Sequence, residues 1–202
     1  MSTPSLDIVV AGVGGQGTVL ASKLLAQAAL IESLSVRTAE TIGMAQRGGS
    51  VLGHVRIRAD LPAASPLVPL NAADLLIGFE PAETVRALPY LREGGTVVTA
   101  HKPVEPVSAT LGDAAYDGTA EVAYLRSCEG AGRIGRLVLV DGDALCEKLG
   151  STKVLNVVLI GAALKAQNRE SARETYEQAI ESLVKPRFRA LNKQALAEGM
   201  SA

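Results

Sequence analysis

The chain has 202 residues, which suits one compact unit, and 48% of them are apolar, so a core can be buried without disulfides or metals. Aromatics are scarce, with no Trp, two Phe and four Tyr, so that core must be built from Val, Leu, Ile and Ala, as in close helix-on-sheet packing rather than an aromatic-rich sandwich. Lys plus Arg at 20 against Asp plus Glu at 21 leaves a net charge of −1, which gives no electrostatic footprint for nucleic acid or an anionic membrane.

Asp7 to Ala11 is a short apolar run ending in glycines, the mark of a buried parallel strand. The loop Gly12-Val13-Gly14-Gly15-Gln16-Gly17 follows, and from Thr18 to Leu34 apolar residues recur at helical spacing. Strand, glycine loop and helix in that order open a βαβ unit. Val36 to Glu40 is the expected second strand. Thr41 to Ser50 is too rich in Gly and polar groups for a regular element and reads as a structured loop. Val51 to Ile57 alternates, with one apolar and one mixed face, as in a strand partly covered by solvent or a partner.

Leu61 to Leu70 carries three prolines and reads as a connection; Asp74 to Gly78 is another buried strand. Pro81 favours a helix start, with the helical pattern running to Arg92 before Gly94-Gly95. Thr96–Thr99 is the next strand, His101–Gly112 is less regular, and Glu121–Cys128 is helical. Leu137–Asp141 is the last strand. Four helical stretches close the chain: Ala144–Leu149, Val154–Gln167, Ser171–Leu183 and Arg187 to about Glu198. The ends, Met1–Ser5 and Gly199–Ala202, are expected to be loose. The fold expected is α/β: an open, mostly parallel, Rossmann-like sheet with helices on both faces and a helical C-terminal tail. It is read as a single domain over residues 1–202, with the tail at 151–202. The first residues lack a charged n-region and a cleavage site, and no apolar run approaches the roughly 20 residues of a membrane span. A cytoplasmic protein is expected.

Gly12, Gly14 and Gly17 match GxGxxG with a strand before and a helix after. Such a loop turns backbone amides and a helix N-terminus toward an anionic group, usually phosphate. Glu40 is the sole good candidate for the acid a dinucleotide site wants at the end of its second strand. Three readings stay open on the pattern: a nicotinamide cofactor, another phosphate or polar contact, or tight strand-to-helix packing without a ligand. In Met44-Ala45-Gln46-Arg47-Gly48-Gly49-Ser50, Arg47 sits beside two glycines, a cation on a backbone able to approach a ligand or neighbour closely. A solvated surface arginine is the plainer alternative. His54 reads as a packed or surface histidine. His101 follows a strand, where α/β ligands bind, but has no partner in sequence. Asp141-Gly142-Asp143 reads as a turn and helix cap rather than a metal site. Cys128 and Cys146 are isolated, too few for an iron–sulfur cluster or a structural zinc site, and read as buried or idle thiols. No self-contained catalytic motif is present.

Taken together, Gly12 to Gly17, Glu40 and Gly43-Met44-Ala45-Gln46-Arg47-Gly48-Gly49-Ser50 resemble the pyruvate/2-ketoisovalerate:ferredoxin oxidoreductase gamma-subunit family, and within it the members acting on arylpyruvates. The likeness continues through Ala73–Leu76, Gly94–Val98, Val140–Gly142, Asn156–Ala162 and Lys185–Gly199. The resemblance implies a small subunit that is inactive alone and holds no cofactor. A large alpha subunit would carry thiamine diphosphate, Mg2+ and 4Fe–4S iron–sulfur clusters. Together they would oxidatively decarboxylate a 2-oxoacid to an acyl-CoA, with coenzyme A as co-substrate and electrons passing through the complex to ferredoxin. It further implies that Gly12, Gly14, Gly15, Gln16, Gly17, Glu40, Met44, Gln46, Arg47, Gly48, Gly49 and Ser50 lie on loops facing ligand or partner. No catalytic residue is assigned. A stand-alone NAD(P)-binding dehydrogenase and a non-catalytic nucleotide-binding module are the two alternatives.

Overall fold

A computed structural model describes residues 5–43, 49–60, 63, 65–103 and 116–202. Six strands form one sheet: β1 (Leu6–Val13), β2 (Ser35–Ile42), β3 (Ser50–Arg58), β4 (Ala73–Gly78), β5 (Leu91–Ala100) and β6 (Ile134–Val140). Their order is β2-β3-β1-β4-β5-β6. β1, β4, β5 and β6 run parallel, whereas β3 is antiparallel to both β1 and β2. The sheet is thus mixed but mostly parallel, as expected. The first crossover helix, α1 (Thr18–Ile31), does lead from β1 to β2, but β3 occupies the place beside β1.

Strand side chains alternate between two cores. Ile8, Val10, Ile77 and Val98 join α1, α4 (Gly142–Lys148), α5 (Leu155–Ala166), α6 (Arg173–Leu183) and α7 (Pro186–Ser201) on one face. Val9, Ala11, Leu76 and Val97 join α2 (Pro81–Ala87) and α3 (Thr119–Gly130) on the other. Helices on both faces explain why β1 and β4 read as continuous apolar runs. At the far end of β1, the buried Asp7 carboxylate meets Arg56 at 3.0 Å and Arg58 at 2.8 Å, pinning β3 in register. Burial works to raise this carboxyl, but hydrogen bonds from Arg58 and Arg56 and their charges outweigh it and hold the group below the usual carboxylate range.

Helix boundaries depart from the sequence pattern for definite reasons. α2 ends at Ala87 and gives way to a 3-10 turn over Leu88–Tyr90, because Pro89 offers no amide to the preceding turn. β5 therefore begins at Leu91 rather than after the glycines. α3 extends beyond the expected span and ends where Gly132 adopts φ 78, the left-handed geometry of a helix stop.

The largest correction concerns the C-terminus. Rather than fraying at Gly199, α7 continues to Ser201 and crosses α5 backbone to backbone. A Cβ on Gly199 would lie 2.0 Å from the Val158 carbonyl oxygen, and one on Gly161 would lie 2.3 Å from the Leu196 carbonyl oxygen. α5, buried along ten of its twelve residues, thereby becomes the middle layer between sheet and tail.

Gly199→Ala is expected to lower unfolding stability by about 3 kcal/mol, since backbone must move to admit the methyl. Gly130→Ala, where a Cβ would meet nothing within 4 Å, should change it by less than about 0.5 kcal/mol. Equal midpoints for both variants in urea unfolding would show that the α5–α7 crossing is not limited by backbone contact.

Candidate functional site

In an open α/β sheet, ligands bind where neighbouring strands send their connections to opposite faces. β1 leads into α1 on one face and β4 into α2 on the other, so the crevice lies between their carboxyl ends. The Phe79 amide, just past β4, donates to the Ala11 carbonyl at 2.8 Å, which brings the two strand ends together.

The glycine loop fills this crevice. Gly15 and Gly17 have φ of 101 and 91, values that favour glycine. Gly12 is needed for a different reason: a Cβ there would stand 2.8 Å from both Phe79 Cβ and Thr18 Cγ2. Gln16 turns back on the loop itself. Its Oε1 accepts from the Val13 amide at 2.7 Å, and its Nε2 donates to the Phe79 carbonyl at 3.2 Å. α1 starts from Gly17 with no side-chain cap and no acid in its first turn. Its uncompensated amides therefore carry the positive end of the helix dipole. Gly14, Gly15, Gly17, Val19, Lys23 and Val51 line a shallow cleft of about 520 Å3 over this N-terminus.

The second loop returns to the same place. The Gly14 amide donates to the Gly49 carbonyl at 2.9 Å, and the Gly43 amide to the Ser50 carbonyl at 2.9 Å. Met44, Gln46, Arg47 and Gly48 lie outside the described residues. Glu40 is exposed on the edge strand, opposite Gly53, which in turn pairs with Val10 of β1. Two strand spacings, about 10 Å, thus separate it from β1. In a dinucleotide fold the second strand neighbours the first, so the acid expected from sequence is one strand too far out for a ribose held at this glycine loop.

Three residues missed in the sequence complete the surroundings. Glu80 and Glu83, 2% and 3% exposed, sit at the start of α2. Glu80 caps the helix through the Glu83 amide, and Glu83 pairs with Arg86. The Glu83 Oε2 accepts from the Ser50 hydroxyl at 2.6 Å. Tyr116 donates to Glu80 Oε2 at 3.0 Å and accepts from the Ala82 amide at 3.0 Å. Burial and the adjacent Glu80 carboxylate push this phenol well above its ordinary range. The signal in the sequence was Glu80-Pro81-Ala82-Glu83 directly after a buried strand, an acid at a cap position with Pro at N1.

The histidines separate. His54 is 2% exposed, its Nδ1 accepts from the Val68 amide at 3.3 Å, and Tyr90 stands edge-on with ring centroids 5.4 Å apart. It is a core residue. His101 keeps Nδ1 at 3.0 Å from the Val140 carbonyl and lines, with Lys102, Thr119, Arg126 and Asp141, a second cleft of about 370 Å3. Asp141 caps α4 through the Ala144 amide at 3.0 Å, the cap reading. Cys146 is buried and Cys128 half-buried, both as free thiols. Among the described residues, no three His, Cys, Asp or Glu gather as a metal site, and no helix is long and apolar enough to cross a membrane.

Comparison with known proteins gives a consistent answer. The family described as pyruvate ferredoxin/flavodoxin oxidoreductase matches residues 7–202. The chain is similar to the indolepyruvate oxidoreductase subunit IorB of Archaeoglobus fulgidus, 40% identical over 96% of this chain and 93% of that one. The subunit of the same name from Pyrococcus horikoshii is 36% identical over 97% and 95%. The fold resembles the gamma subunit of a keto/oxoacid ferredoxin oxidoreductase from Geobacter sulfurreducens, with TM-score 0.68, 21% identity and coverage of 97% and 96%. It also resembles 2-oxoglutarate:ferredoxin oxidoreductase from Magnetococcus marinus, solved with 2-oxoglutarate, coenzyme A and succinyl-CoA bound. That likeness has TM-score 0.71 and 19% identity over 98% of this chain but 31% of the longer one.

Burial holds the His54 imidazole below its usual value. The unfolded chain therefore binds more protons than the folded one as pH drops below about 6.5, and stability is lost from there down to the lower folded value. Denaturation midpoints measured between pH 8 and 5 should fall with pH, with a shallower slope in His54→Gln; identical slopes would show that folded and unfolded chains protonate this ring alike.

Proposed function

The chain belongs to the pyruvate ferredoxin/flavodoxin oxidoreductase family and is a subunit of a 2-oxoacid:ferredoxin oxidoreductase; from that premise we propose that it is the small subunit of an enzyme that oxidises an arylpyruvate such as indolepyruvate, using coenzyme A and ferredoxin. The observation that carries this reading is the near full-length likeness, at 40% identity, to an indolepyruvate oxidoreductase subunit. The partner is a large subunit that holds thiamine diphosphate, Mg2+ and 4Fe–4S clusters. Four thiolates per cluster exceed the two cysteines available here, so the cluster ligands belong to that other chain. When bound there, the thiamine cofactor supplies the decarboxylation chemistry and the clusters carry the electrons.

This chain's own residues contribute a surface. The open first turn of α1, the amide of Gly15 and the Lys23 ammonium group favour an anionic group, a phosphate of coenzyme A or the carboxylate of the oxoacid. Val19 and Val51 add an apolar wall that excludes water beside it. Gly14, Gly15 and Gly17 form that surface in this reading, with Met44, Gln46, Arg47, Gly48, Gly49 and Ser50 continuing it, while Gly12 and Gln16 brace it from behind.

Coexpression with the large subunit should give a complex that reduces ferredoxin with indolepyruvate and coenzyme A, while the small subunit alone turns over nothing. Lys23→Glu in that complex should raise the KM for the anionic partner about tenfold, the loss of one charge-assisted contact, without preventing assembly. Oxidation of a substrate with NAD by the isolated chain would overturn the proposal.

A further inference from the structure

The sheet has two edges, and the chain treats them differently. At β6 the Val140 carbonyl accepts from the His101 amide at 3.1 Å on the β5 side, so the odd-numbered residues turn their backbone outward. That edge is blocked: the Leu137 amide donates to Glu129 Oε1 of α3 at 2.7 Å. At the opposite edge, β2 carries no such cover. Among the described residues, no backbone or side-chain group is hydrogen-bonded to its outer side. The strand runs for eight residues with no proline, no lysine and no register shift against β3. Edge strands of that length ordinarily carry one of these devices to prevent pairing.

The register shows which groups are free. The Gly43 amide donates to the Ser50 carbonyl at 2.9 Å, one step beyond the Ile42–Val51 pair. Odd-numbered residues of β2 therefore face β3, and Val36, Thr38, Glu40 and Ile42 turn N–H and C=O outward. This edge fits a second copy of itself. A two-fold axis perpendicular to the sheet makes the two strands antiparallel and keeps each side chain on its own face. An axis at Arg37 would set two guanidinium groups opposite each other, and one at Glu40 would do the same to two carboxylates. An axis at Thr38 would put Val36 against Glu40. Only an axis at Ala39 avoids all three: the Thr38 hydroxyl then faces the Glu40 carboxylate of the second copy, and Arg37 faces Thr41. Arg37, Thr38, Glu40 and Thr41 are all exposed in the single chain.

We propose that β2 is the contact through which two copies of this chain associate, joining their sheets edge to edge about a dyad at Ala39. Thr38 of each copy exchanges backbone hydrogen bonds with Glu40 of the other, and Val36 with Ile42. The pairing is a property of the sheet edge and does not depend on the reaction proposed above.

The full-length chain, purified alone, should sediment as a dimer. Thr38→Pro removes an amide that points away from β3, so the fold tolerates it while each copy loses one bond across the dyad. The dimer Kd should rise about tenfold or more, with the far-UV circular dichroism unchanged. Ala39→Cys should form a disulfide between copies under mild oxidation, because non-hydrogen-bonded antiparallel partners hold their Cα atoms about 4.5 Å apart. Thr41→Cys should not, since its two copies lie four residues apart along the strands, roughly 13 Å; the wild-type chain, with Cys128 and Cys146, sets the background. A wild-type chain that sediments singly, a Thr38→Pro dimer as tight as wild type, or equal crosslinking by the two cysteine variants would overturn the proposal. If Thr38→Pro does not fold, the cysteine pair decides alone. Loss of the large subunit from the coexpressed complex in Thr38→Pro, with the dimer intact, would assign this edge to that subunit and overturn the proposal as well.

Discussion

The reversal of β3 is the constraint from which the site follows. Because β3 runs antiparallel between β1 and β2, the turn joining β2 to β3 must lie at the carboxyl edge of β1. That is the edge where the glycine loop emerges. A third strand running parallel to β1 would begin at the opposite edge, and the carbonyl of Gly49 could not meet the amide of Gly14. The same reversal moves Glu40 outward by one strand. One topological choice therefore creates the paired loops and dismantles the acid position of a dinucleotide site.

Packing then fixes how closely the parts approach. Ser22 of α1 faces Gly53 of β3, where a Cβ would stand 2.3 Å from its hydroxyl oxygen. Among the described residues, that hydroxyl is the one buried side-chain polar atom without a hydrogen-bond partner. Leaving it unpaired costs on the order of 1–3 kcal/mol, and what the structure gains is a helix set tightly against the reversed strand. At the crevice the opposite policy holds. Glu80, Glu83, Tyr116, Ser50 and Gln16 all find partners, so the loops on either side of β1 share one connected framework.

The sheet was legible because buried strands leave a strong trace: Asp7–Ala11, Asp74–Gly78 and Leu137–Val140 are runs that hardly any solvated element would carry. The glycine loop was legible because φ near 100 at Gly15 restricts residue choice locally. The place of β3 was not, since an alternating strand reads alike beside β1 or beyond β2; pairing is a long-range choice with no local signature. Glu80 and Glu83 were overlooked for a related reason. A polar residue after a strand looks like a solvated loop until tertiary contacts bury it. Gly199 misled in the reverse sense, since a glycine near a terminus suggests fraying while here it admits a carbonyl from another helix.

Among the described residues, the crevice presents polarity without a group poised for proton transfer. Tyr116, whose hydroxyl lies within hydrogen-bond reach of Glu80, has a phenol pushed too high to exchange a proton near neutral pH. Both carboxylates are committed to partners, and His101 has turned Nδ1 to a strand carbonyl. His54 is in the core on the β3–β1 side, where its Nδ1 takes the Val68 amide. The described outward groups at the glycine loop are backbone amides and one lysine. Such groups discriminate by shape and by the direction of hydrogen bonds, and they hold that direction because the groups behind them are rigid. A surface of this kind suits a subunit whose contribution is to present a reactant in one orientation to chemistry performed on another chain.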